Sequence, residues 1–84
     1  MSSDAIRATV LSSLATVAPE VDGRTLRDDT PLRAQVDIDS VDYLNFLIAL
    51  HQATGVDIPE TDYARVVTLA GLVDYLAARV TTPP

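Results

Sequence analysis

The sequence has 84 residues, 48% apolar and 21% charged, a composition that suits one small folded domain and argues against disorder. It has no cysteine and a single histidine, which excludes disulfides and thiolate chemistry and makes a zinc site a poor fit. A net charge of −6, with no lysine, has the wrong sign for nucleic-acid binding.

The first helix is expected from about Asp4 to Ala18, with Ser3 as N-cap and Pro19 as the stop. Ile6, Val10, Leu14 and Val17 form its apolar stripe. Residues 19–39 lack periodicity and carry turn chemistry, including Pro19, Gly23, Thr30 and Pro31. Leu26, Leu32, Val36 and Ile38 are spaced through this stretch and imply a loop pinned to the core rather than a floppy linker. A second helix is expected over Ser40–Thr54, closed by Gly55 in a left-handed cap. A short third helix opens at Pro59 or Glu60 and reaches about Arg65. Thr68 caps a fourth, whose stripe is Leu69, Leu72, Val73, Leu76 and Val80. The fold class is therefore all-α: a four-helix bundle of three long helices and one short, with a long loop between the first two. One domain over 1–84 is expected, ordered over about 3–80, with 81–84 as a frayed tail. No apolar run approaches the ~20 residues of a membrane span, and the early Asp4 does not suit a signal peptide, so a cytoplasmic location is expected.

Two features stand out against this background. Between Ala34 and Ala64 lie six acids and no base, while the rest of the chain sums to zero charge. An acidic middle fits a partner with a basic patch, and it also fits a plain need for solubility. The second helix also has two apolar arcs. At 100° per residue from Val41, the residues Tyr43, Phe46, Leu47 and Leu50 fall between about 140° and 240°, while Val41, Leu44 and Ile48 fall nearly opposite. Either this helix is buried nearly all round, or its second arc is a docking stripe.

Asp37-Ile38-Asp39-Ser40-Val41-Asp42 opens that helix. If Asp39 caps it, the Ser40 hydroxyl is left over at a helix N-terminus, where a phosphate is favoured; alternatively Ser40 is itself the cap. Ser40 is not a hydrolase nucleophile. His51 lies roughly 16 Å along the same helix, and there is no G-x-S-x-G elbow. Asp37, Asp39 and Asp42 do not fit a calcium loop, because Asp42 stands where glycine is required, and no metal site is expected.

Taken together, these features resemble the acyl carrier proteins. The resemblance runs over about residues 3–80. It is carried by Asp39-Ser40-Val41-Asp42, by Gly55-Val56-Asp57-Ile58-Pro59-Glu60, by Thr30-Pro31-Leu32 upstream and by Leu69-Ala70-Gly71-Leu72-Val73-Asp74-Tyr75-Leu76 downstream. It implies a right-handed helical bundle in which Ser40, flanked by Asp39 and Val41, carries covalent 4′-phosphopantetheine. A magnesium-dependent phosphopantetheinyl transferase would attach that arm from coenzyme A. The arm's thiol would hold acyl groups as thioesters, so the carrier, not itself an enzyme, would present them to acyl-transferring or condensing enzymes with basic docking patches. By the same resemblance, Asp39, Asp42, Asp57, Glu60 and Asp62 would form the docking face, with Val41, Leu44 and Ile48 as its apolar centre. Leu32, Leu50, Ile58 and Val66 match the family's acyl pocket and read equally well as ordinary core.

The chain departs from the family where D-S-L reads Asp39-Ser40-Val41, where Asp37 replaces a frequent glycine, and where the second helix has Asn45, His51 and Gln52 in place of glutamates. Fewer charges on that helix imply a specialised carrier, and Tyr63 would narrow the cavity against long-chain cargo. The expectation is a discrete, monomeric carrier in a specialised fatty-acid or polyketide-type pathway. The alternatives are an interaction subunit that keeps the fold with Ser40 unmodified, and a bundle that self-associates through its second stripe.

Overall fold

Ser2 and Asp39 start the two helices that frame the molecule, each by accepting a backbone N–H on its side-chain oxygen. In the computed structural model, which describes residues 2–80, α1 spans Ser3–Ala15, α2 Leu32–Gln35, α3 Ser40–Thr54 and α4 Leu69–Arg79. Single 3₁₀ segments lie at Gly23–Thr25 and Glu60–Val66. Among the described residues there is no strand, only an isolated bridge between Pro31 and Thr68. The expected helical bundle is therefore observed, with α1, α3 and α4 as its long members. The expected frayed tail at 81–84 lies outside the described residues.

The ends of α1 differ from expectation. Ser2, not Ser3, caps it, because Ser2 has extended backbone and its Oγ takes the Ala5 N–H at 3.2 Å. The helix also ends before Ala18. Thr16 and Val17 donate to carbonyls three residues back, tightening the last turn ahead of Pro19, and the Thr16 hydroxyl bonds the Ser13 carbonyl at 2.6 Å. The ends of α3 and α4 fall where the sequence places them: Gly55 takes φ 74° after α3, and Thr68 Oγ1 accepts from the Gly71 N–H at 3.0 Å. The short third helix is a 3₁₀ segment.

Ile6, Val10 and Leu14 of α1 meet Phe46, Leu47 and Leu50 of α3 and Leu69, Leu72 and Leu76 of α4 in one core. The stretch 19–39 contributes Leu32, Val36 and Ile38 to that core, so it is pinned as expected. Polar contacts fasten it as well. Arg7 pairs with Asp28 at 2.6 Å, the Ala70 N–H donates to the Asp28 carbonyl, and the Gln35 amide bonds the carbonyls of Arg27 and Thr30. The Leu32 N–H donates to the Val67 carbonyl at 2.8 Å, which seats α2 against the approach to α4. The short turns at 23–25 and 32–35 are additions to the four expected helices.

Candidate functional site

Asp39 resolves the ambiguity at the start of α3. Its Oδ1 accepts the Asp42 N–H at 2.8 Å, and its carbonyl accepts from Tyr43 at 2.9 Å. Asp39 is therefore the N-cap, and Ser40 is the first helical residue. The Ser40 side chain is exposed and its Oγ is free of capping. Arg33 reaches toward it, with Nη2 3.5 Å from Oγ, at the outer limit of a hydrogen bond. Sequence reasoning missed Arg33. It lies just outside the acid-only stretch, and only the turn of α2 brings it across to Ser40. Its guanidinium also sits 5.6 Å from the centroid of the Tyr43 ring.

The two arcs of α3 separate as the docking alternative requires. Phe46 and Leu50 are fully buried and Leu47 nearly so, whereas Val41, Leu44 and Ile48 are 66%, 49% and 46% exposed. The helix is not buried all round. Tyr43, placed in the core arc by its angle, is only half-buried. It stacks at a tilt on Phe46 and its hydroxyl reaches the Val66 carbonyl at 3.4 Å. Burial pushes its phenol above the ordinary value, with the Arg33 charge pulling the other way, so at neutral pH it remains a hydrogen-bond donor.

The acids divide. Asp39, Asp57 and Glu60 are exposed and Asp42 and Asp62 are half-buried; Asp39 caps α3, Asp42 lies in its first turn, and the other three follow it. Asp62 is also engaged within the fold. Its carboxylate accepts the Tyr75 hydroxyl at 2.6 Å and lies within 4.0 Å of both Arg65 and Arg79. The bond to Asp62, with burial, holds the Tyr75 phenol above its usual value. Asp62 therefore also ties the 3₁₀ segment to α4, in addition to the docking role expected of it from the sequence.

Leu32, Leu50 and Val66 are at most 1% exposed and Ile58 is 9% exposed. All four sit in the continuous core. Beside them lie two clefts that share Tyr63, and Ile58 lines one of them. One, of about 230 Å³, is lined by Pro31, Arg33, Tyr43, Tyr63 and Val67. The other, of about 240 Å³, runs along Leu44, Ile48, His51 and Ile58. His51 Nδ1 lies 3.1 Å from the Val56 carbonyl, so it donates there and closes the turn after α3. Among the described residues no three His, Asp or Glu side chains converge to hold a metal ion, and no helix is long and apolar enough to cross a membrane.

A family model for the phosphopantetheine attachment site matches residues 8–76, and the chain belongs to that family. Proteins of this family are carriers rather than enzymes. They hold 4′-phosphopantetheine covalently and work with the transferase that attaches it and with partner enzymes. A search of curated proteins returned no match.

The residues present suit that group. An exposed hydroxyl sits on the positive end of a fifteen-residue helix, whose dipole and unpaired N–H groups favour an attached phosphate. An arginine stands beside it.

Proposed function

We propose that Ser40 carries the 4′-phosphopantetheine and that the protein presents acyl thioesters on that arm to enzymes of a specialised fatty-acid or polyketide-type pathway. The observation that supports this most is the division of labour at the start of α3. Asp39 does the capping, so the Ser40 hydroxyl is exposed and has no structural task. When bound, the arm supplies the thiol that a chain without cysteine lacks. The protein's own contribution is position and effective concentration. Incubation with coenzyme A, magnesium and a broad-specificity transferase should add one phosphopantetheinyl mass. No addition with several transferases would overturn the proposal.

The face around Ser40 supports docking through an apolar centre with an acidic edge. Val41, Leu44 and Ile48 run along it, flanked by Asp42, Asp57 and Glu60. The flank carries Asn45 and Gln52 where a more acidic helix would have charges, which favours selective contact over long-range steering and fits a specialised partner set. Ile48→Asp should weaken transferase or partner binding by about 30-fold or more, the effect of losing a central anchor of about 2 kcal/mol. Because Ile48 is about half exposed, the melting temperature should change little. Equal binding constants for the two proteins would remove Ile48 from the interface. The protein works as a monomer in this reading, and sedimentation at several concentrations should show no association through the stripe.

A further inference from the structure

The connection that carries α2 delivers a cation to the modification site. Arg7, Arg24, Arg27, Arg65 and Arg79 each have a carboxylate oxygen within 4.0 Å. Among the described residues, Arg33 alone of the six arginines has none. Asp39, the acid beside Ser40, has its Oδ1 committed to the cap of α3. Arg33 is nonetheless not free to wander. The buried Leu32 before it is fixed by its N–H to the Val67 carbonyl, and the Tyr43 ring lies beneath its guanidinium. The Tyr43 hydroxyl is in turn held by Val66. The result is a planar, uncompensated donor fork parked 3.5 Å from a hydroxyl oxygen, too far to bond it well. A phosphate esterified on that oxygen would carry acceptor oxygens beyond it, into the reach of the fork.

We infer that Arg33 is the positioning residue for the arm: it pairs with the phosphodiester on Ser40 and fixes where the pantetheine starts. The inference rests on the reading of Ser40 as the attachment point. A phosphodiester has two non-bridging oxygens and one negative charge, which matches a guanidinium fork better than an ammonium. Arg33 also lines the cleft of about 230 Å³ with Pro31, Tyr43, Tyr63 and Val67. Pairing there sets the arm's origin at the mouth of that cleft rather than at the one along Ile48. Because Arg33 is exposed, the pairing weakens as salt screens it.

The test is phosphorus NMR of the loaded protein, with mass spectrometry to confirm loading and circular dichroism to confirm folding. In the wild type the phosphodiester resonance should differ from its position in urea-unfolded loaded protein, and should move toward that position as salt rises. In Arg33→Ala it should lie closer to that position at low salt and depend less on salt, the start of α3 accounting for what remains, and in Arg33→Lys it should lie between. The Arg33 Nε–H signal should also shift between unloaded and loaded wild type. If both proteins load and their phosphorus resonances and salt dependence are the same, the assignment of Arg33 is overturned while Ser40 stands. If the wild type takes no arm at all, the reading of Ser40 fails and this inference fails with it.

Discussion

Ser40→Ala should abolish phosphopantetheine addition completely while leaving the melting temperature within a few degrees of wild type. The two halves of this result come from separate atoms. Loading needs an oxygen at position 40, and alanine has none. Stability at this helix start depends on Asp39, whose carboxylate takes the Asp42 N–H, and that bond survives the substitution. Ser40 Oγ has only the long contact to exposed Arg33, and alanine is the better helix former at a first-turn position. Asp39→Ala provides the contrast, because it removes the cap and should cost about 1 kcal/mol while Ser40 remains. Mass spectrometry and thermal melts on both variants decide the matter. Were Ser40 itself the cap, the costs would be reversed, and Ser40→Ala would lose the kcal/mol. Were another hydroxyl the attachment point, the Ser40→Ala protein would still gain the mass.

What the sequence makes legible at this site is what lies close along the chain. Asp39 and Gly55 bound α3 by local chemistry, each acting within a few residues, so both ends are readable. Helical periodicity separates Phe46 and Leu50 from Val41, Leu44 and Ile48, and the difference in exposure follows it. Angle alone could not decide whether the second arc met another helix, because that depends on where α1 and α4 lie. Contacts across loops were hidden for the same reason. Asp62 reads as one more acid in an acidic stretch until α4 brings Tyr75 and Arg79 against it. Arg33 is seven residues from Ser40, in a stretch without periodicity, and reaches it only because Leu32 is drawn into the core and the chain turns back. The family resemblance points to Ser40 but not to the cation beside it, since other residues carry that resemblance.

The largest loss of stability should come from Phe46→Ala, on the side of α3 facing away from the exposed stripe of Val41, Leu44 and Ile48. Phe46 is fully buried in the core, on the helix that packs against α1, and its ring stacks at a tilt against Tyr43 with centroids 6.1 Å apart. Truncating a buried phenylalanine costs about 3–5 kcal/mol, through lost transfer energy and the cavity left behind. A domain of this length has about 4–13 kcal/mol in total. At about 4–8 °C per kcal/mol, the midpoint should fall by about 12–40 °C, and a large share of the molecules could be unfolded at growth temperature. The effect reaches function by a different path from that of Ile48→Asp. Under the proposed function, transferase recognition uses a formed helix start and an ordered stripe, so loading of Phe46→Ala should fall with the folded fraction and recover on cooling or with a stabilising osmolyte. Loading of Ile48→Asp should not recover under those conditions, because its helix is already folded. Urea denaturation paired with loading rates at two temperatures separates the two. A Phe46→Ala midpoint within a few degrees of wild type would mean that the core is not organised around this ring, and the opposition of a buried and a docking arc on α3 would have to be abandoned.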